Sequence, residues 1–441
     1  MTNIPISHEI ITALAKSIGI PSPGSSSIRE ISHLVNKIEE ETGIKFIRME
    51  MGVPGLPAPS IAVDAEIAAL KNGVAAIYPN ISGIAPLKYE ASRFIKLFLD
   101  IGINPQGCIA TVGSMMGGML SFLVANRNDK TKEGTLFIDP GFPVQKQQVK
   151  MLGHDYHSFD VYNYRGKKLK AKLESYLKSG KISSLLFSNP NNPSWICLNE
   201  EELEIIGELS RKYDVIVIED LAYFGMDFRK DYSNPGNPPF QPTVARYTDE
   251  YIMLISSSKI FSYAGQRIGI MAISDKLFDR SYPDLLRYYS TDKFGHSVIF
   301  GALYALSAGV AHSVQYGFAA LLKAVNDGEF RYRDELMEYG EKAREMKKMF
   351  VSNNFQIVYD MDLEEPIGDG FYFTISYPEM TGNQLLEELL RYGISAVSLD
   401  ISGADRQGLR ACVSQVSREQ FNDLEMRLKK FSEDHPAKLN K

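Results

Sequence analysis

Cysteine is scarce in this chain, with three residues, Cys108, Cys197 and Cys412, among 441. They are odd in number, far apart and never in metal-ligand spacing, which argues against a disulfide framework and a zinc site. Small buried hydrophobes in a reducing compartment are the expected role. Positive charge is not in excess either. Lys+Arg number 48 against 54 Asp+Glu, a net charge of −6, so neither nucleic acid nor an anionic membrane surface is the expected partner. No apolar run approaches the ~20 residues of a membrane span. The opening MTNIPISHEIITALAKSIGI carries His8, Glu9 and Lys16 among its apolar residues. It lacks a charged stretch followed by an apolar one, so no secretory signal is expected and the cytoplasm is the expected location. Internal repeats and low-complexity segments are absent from the sequence.

What is present is an ordinary globular composition, 44% hydrophobic and 23% charged, in a chain longer than one small domain needs. From about residue 107 to 275, short apolar runs alternate with helical segments. Strands are predicted at 108–112, 135–138, 156–160, 184–187, 215–219, 252–255 and 268–273. Apolar strands separated by helices indicate a mainly parallel sheet covered by helices. Amphipathic spacing predicts helices at 6–17, 28–42 and 200–213, the last with Asn199 as N-cap and Glu200, Glu201 and Glu202 in its first turn. Residues 296–327 and 328–352 read as two long helices. Strands near 371–376, 394–398 and 409–413 and helices near 382–391 and 417–431 complete an α+β segment. The expected fold class is α/β: a large central domain over 76–327, and a smaller α+β domain built from both chain ends, 1–75 and 328–441.

Several strand ends carry chemistry-bearing residues. Ser256-Ser257-Ser258-Lys259 follows an apolar strand, where desolvation lowers a lysine's pKa towards the neutral amine that attacks an aldehyde. Arg267 stands just before the next strand and, with Ser256, offers a bidentate grip on a phosphate. The strand Val215–Glu219 ends in Asp220, with Tyr223 three residues on; ligands bind at strand C-termini in open α/β sheets. Ser188-Asn189-Pro190-Asn191-Asn192-Pro193-Ser194-Trp195 is a rigid polar loop after another strand. Gly113-Ser114-Met115-Met116-Gly117-Gly118 opens a helix, where backbone N–H groups can approach a phosphate. Each has a plain alternative: a surface lysine, a rim arginine, a cap, a core tyrosine, a polar turn.

Taken in order, Tyr78…Gly83, Gly113-Ser114-Met115, Pro140-Gly141-Phe142, Asn189-Pro190-Asn191-Asn192-Pro193-Ser194, Asp220-x-x-Tyr223, Ser256-x-x-Lys259, Arg267 and Arg410 resemble the class I/II pyridoxal-phosphate-dependent aminotransferases of the aspartate aminotransferase superfamily. The resemblance runs from about residue 50 to the C-terminus. It implies that Lys259 binds pyridoxal 5'-phosphate covalently and then moves the α-proton. Asp220 would pair with the pyridine nitrogen, Asn192 and Tyr223 with the phenolic oxygen, and Phe142 with the ring face. Ser114, Met115, Ser256, Arg267 and, from a second subunit of a homodimer, Tyr78 would hold the phosphate. Arg410 would take the substrate α-carboxylate, with Asn192, the Gly52 backbone and Trp195 beside it. Trp195 departs from the glycine usual there, and Met115 and Met116 replace more polar residues. The implied substrates are an amino acid and a 2-oxo acid. A second reading keeps fold and cofactor but makes the reaction carbon–sulfur lysis, decarboxylation or acyl transfer. A third, a non-catalytic ligand-sensing regulator, is disfavoured by the short acidic N-terminal segment. Lys293 and Arg287 could bind a second carboxylate, or could be solvated charges.

Overall fold

A computed structural model describes residues 4–132 and 134–436. Its contacts divide the chain into two units. The larger gathers Leu56–Asn191 and Cys197–Leu336; the smaller gathers the chain up to Gly55, Asn192–Ile196 and the chain from Met337 onward. Residues 56–75 and 328–336 therefore group with the large unit, whereas the sequence expectation drew its boundaries at 75/76 and 327/328.

The large unit is built on seven strands: β1 (Cys108–Thr111), β2 (Gly134–Asp139), β3 (Asp155–Asp160), β4 (Ile182–Ser188), β5 (Ile216–Asp220), β6 (Tyr251–Ser256) and β7 (Gly269–Ile273). Their order across the sheet is β1-β7-β6-β5-β4-β2-β3. All neighbours pair in parallel except β7, which runs antiparallel to both β6 and β1. The mainly parallel sheet expected from apolar strands is present. Strands β1, β2, β5, β6 and β7 are buried along their whole length, while the edge strand β3 alternates at its start between exposed and half-buried residues. Helix α1 (Gly113–Ala125) packs against β6 and β7. At Gly117 a Cβ would stand 2.9 Å from a Leu254 methyl, so glycine sets how closely helix and sheet approach. Helix α2 (Pro143–Met151) opens with proline at its first position, where no donor is lost. Helix α3 (Glu200–Tyr213) begins as expected: Asn199 accepts from the Glu202 N–H at 2.9 Å, and Glu202 accepts from the Asn199 N–H at 3.1 Å.

One expectation fails. Residues 296–327 do not form a single helix. A wide π-type turn spans Ser297–Leu303, a short helix Tyr304–Ser307 follows, and the chain breaks at Ala308 (φ 54°) and Gly309 (φ 117°) before His312–Asn326. Left-handed backbone at two successive residues ends any helix. The pattern of apolar residues continues across the break, and so concealed it.

The small unit carries an antiparallel sheet, β8 (Gln356–Ile357), β9 (Tyr372–Ser376), β10 (Val397–Ser398) and β11 (Leu409–Cys412), in the order β10-β11-β9-β8. Both chain ends contribute to this unit. Ile47–Arg48 pairs in parallel with Ile394–Ser395, so the N-terminal segment is stitched into it.

Candidate active site

The sheet topology brings the expected cofactor residues of the large unit to one edge. Parallel register aligns Ser188 and Asp220, the last residues of β4 and β5, with Leu254, two residues before the end of β6. Because β7 is antiparallel, its first residue lies at that same edge: Gly269 stands between Thr111 of β1 and Ser256 of β6. Arg267, two residues earlier, is thereby carried to the turn that follows β1. A Cβ on Gly113 would be 2.8 Å from Arg267 Nη2, and one on Gly269 would be 3.2 Å from the Ser114 nitrogen. Two glycines thus let the guanidinium and the start of α1 share one small volume. The first N–H groups of α1 have no side-chain cap, and such groups beside an arginine suit an anion. Ser114 and Met115 are half-buried; the Met115 carbonyl accepts from Gln148 Nε2 at 2.8 Å. The buried Ser256 hydroxyl accepts from the Ser258 N–H at 3.1 Å. Lys259 is half-buried in the short helix Ser257–Ile260 that leaves β6 directly.

Asp220 is buried and accepts from Gln145 Nε2 at 2.8 Å and from the Ala222 N–H at 3.1 Å. Both donors are uncharged, and among the described residues it makes no ion pair. Burial pushes its pKa up to about 6, partly offset by those two hydrogen bonds. A buried carboxylate that has only uncharged donors favours a cationic partner, which would supply the missing positive charge. Gln145 escaped the sequence reading. Its signal is the spacing from Phe142, which puts it one turn into the helix that Pro143 opens. Phe142 is half-buried, Tyr223 is buried, and Asn191 ties its loop to the carbonyl of Pro140 at 2.8 Å. Asp139 and Lys146 form a buried ion pair near the same turn, also unforeseen; burial raises the Asp139 pKa to about 6 although Lys146 opposes it.

The small unit assembles the other expected set. Arg410 on β11 is buried; its Nη2 donates to the Glu50 carbonyl at 2.5 Å and its Nη1 to Asn192 Oδ1 at 3.3 Å. Its guanidinium carbon lies over the Tyr372 ring, 4.6 Å from the centroid. A Cβ on Gly52 would be 2.0 Å from the Tyr372 hydroxyl, so glycine is required there. Trp195, at φ 65° and 1% exposed, lies inside this unit. It meets Tyr372 edge-on with centroids 6.1 Å apart, and its indole fills the space of a Cβ on Gly370, 2.1 Å away. The Tyr372 ring thus lies against both the Trp195 indole and the Arg410 guanidinium.

Three residues stand apart. Tyr78 is 93% exposed. Lys293 donates to the Asp279 carbonyl at 2.8 Å, and Arg287 to the carbonyls of Asp284 and Arg127 at 3.0 and 3.4 Å. These two charges are engaged locally.

The sequence pattern of the family described as aminotransferase class I and II matches residues 45–428. The chain belongs to that family. Family members depend on pyridoxal phosphate in general, and the large-unit residues fit that group: an anion cradle at α1 and Arg267, a buried carboxylate lacking a cation, and a lysine at the end of the adjacent strand. Among curated relatives, a protein named as a probable aspartate aminotransferase from Methanocaldococcus jannaschii is 25% identical over 57% of this chain and 61% of its own length. An LL-diaminopimelate aminotransferase from Natranaerobius thermophilus is 26% identical over 56% of this chain and 62% of its own length. These matches thus span about three fifths of each relative. Solved structures extend the likeness in fold. An aminotransferase from Mycobacterium tuberculosis superposes with TM-score 0.75 at 16% identity, covering 95% of this chain and 98% of its own. The alanine aminotransferase of Pyrococcus furiosus gives 0.74 at 19% identity, covering 92% and 97%.

Proposed function

We propose that this protein is a pyridoxal-phosphate-dependent aminotransferase that moves an α-amino group between an amino acid and a 2-oxo acid. The observation that carries the reading is Asp220: a buried carboxylate with only uncharged donors, one strand away from Ser256 and Lys259. When bound, the cofactor supplies an electron sink for the carbanion left at Cα. The protein's part is to bind, orient and move protons. Lys259 is the covalent anchor and then the base and acid at Cα. Asp220, oriented by Gln145, keeps a ring nitrogen protonated. Asn192 and Tyr223 serve the phenolic oxygen, and Phe142 covers a ring face. Arg267, Ser256 and the N–H groups of Ser114 and Met115 hold the phosphate. Arg410 takes the α-carboxylate, beside Asn192 and the Gly52 backbone; Trp195 acts on the substrate side through packing.

The working unit in this reading is a cytoplasmic homodimer, with Tyr78 reaching the second subunit's phosphate; its exposure in the single chain supports that role. Lyase, decarboxylase and acyl-transfer chemistry are not favoured, since the relatives are named aminotransferases. The test is direct. The purified protein should be yellow, and borohydride reduction should fix the cofactor on Lys259 in a peptide identified by mass spectrometry. A screen of amino acids should then find one that leaves its nitrogen on the cofactor. An adduct on another residue, or carbon dioxide or ammonia released while the cofactor remains an aldehyde, would falsify the proposal.

A further inference from the structure

Arg410 is a buried cation that makes no ion pair among the described residues. Two of the five N–H groups of its guanidinium are used, by the Glu50 carbonyl and the Asn192 amide, and its buried Nε has no acceptor. What stands closest to a counter-charge is the face of the Tyr372 ring. An aromatic face attracts a cation through its quadrupole, and does so most strongly where water is excluded. It also differs from a carboxylate in one respect that matters here. A resident Asp or Glu would have to be displaced before a substrate carboxylate could bind, whereas a ring face leaves the N–H groups of the fork open.

The surroundings of Tyr372 are built to keep it in place. Its hydroxyl end occupies the space of a Cβ on Gly52, and Trp195 meets its ring at 70°. The Glu50 carbonyl, the other fixed point for Arg410, is anchored as well. The fully buried Glu50 side chain accepts from Arg48 Nε and Nη2 at 2.9 and 2.7 Å and from the Ser395 hydroxyl at 2.6 Å. Resting on the aminotransferase reading, we infer that Tyr372 is a positioning residue that orients Arg410 for the α-carboxylate by a cation–π contact. Trp195 buttresses the ring.

The sequence contains one tryptophan, so its fluorescence reports on this cluster alone. Titrating the cofactor-loaded protein with propionate, a carboxylate without an amine, should give a saturable change in Trp195 emission. Tyr372→Leu should weaken propionate binding and raise KM for the amino acid by roughly tenfold or more, with kcat little changed. Tyr372→Phe keeps the ring and should stay within about threefold of the wild type. Tyr372→pentafluorophenylalanine keeps the shape but reverses the ring's quadrupole, and should behave like the leucine variant even if that variant folds poorly. The slow reaction with propylamine, which lacks a carboxylate, should be the same in all four proteins. Propionate binding that matches wild type in both the leucine and pentafluoro variants overturns the inference. So does a loss that propylamine shares. A wild type that ignores propionate and converts no amino acid sinks the aminotransferase reading itself, and the inference with it.

Discussion

Asp220 and its neighbour Glu219 share a strand end but face opposite sides of the sheet, and burial acts on both. Glu219 is fully buried, accepting from the Thr243 hydroxyl at 2.5 Å and the Val244 N–H at 3.2 Å. Burial pushes its pKa from 4.5 to about 8. The folded state then holds a proton that the unfolded chain gives up, so stability falls as pH rises from 4.5 towards 8. Thermal midpoints taken across that range should decline for the wild type, and Glu219→Gln should flatten the decline; parallel profiles would mean that the group is ionised in place. Asp220→Asn should keep the proposed covalent link of the cofactor to Lys259 yet lower turnover by several powers of ten, each worth ~1.4 kcal/mol of barrier. Turnover close to wild type would reduce Asp220 to a turn residue. Lys259, Arg267, Asp220 and Arg410 were legible as candidates in the sequence because the first two flank apolar strands and the last two lie on them, in an ordered set. Gln145, Glu50 and Tyr372 were not, because what singles them out is the partner they meet, 75, 360 and 38 residues away along the chain.

Elements were legible where one residue period ruled and no backbone exception intervened. All seven strands of the large sheet fall within two residues of their expected ends. The helix at 296–327 failed at Ala308 and Gly309, a backbone event that apolar spacing does not encode. Glycines at element ends make the site's tolerances measurable. Gly113 combines φ 67° with a Cβ position 2.8 Å from Arg267 Nη2. Gly113→Ala should therefore weaken cofactor retention by about tenfold or more in equilibrium dialysis, through backbone strain and a displaced guanidinium. Unchanged retention would place the phosphate elsewhere. Gly370→Ala should cost about 1–3 kcal/mol in denaturant unfolding, because its methyl would enter the Trp195 indole. Trp195→Gly, which also suits a left-handed φ, should remove most of that cost in the double variant.

The whole molecule was legible as a large α/β unit with a smaller unit made from both chain ends. Its finer division was not: Asn192–Ile196 joins the small unit although the segments on either side belong to the large one. A five-residue excursion leaves no mark in composition or periodicity. Subunit mixing tests the proposed dimer. Tyr78→Phe and Lys259→Ala chains, each impaired alone, should regain activity when hybrid dimers form, since one site per hybrid is then free of both changes. A fully active monomer would refute the shared site. The antiparallel strand β7 has a further consequence, for synthesis. β1 joins the sheet only through β7, so Cys108–Thr111 leaves the ribosome long before its hydrogen-bonding neighbour, Gly269–Ile273, has been made. At ~5–20 residues per second the wait is on the order of ten seconds or more. For most of that interval the nascent chain displays a helix start without β7 to seat it and without Arg267 beside it, so the proposed phosphate grip is among the last parts of the large unit to be completed.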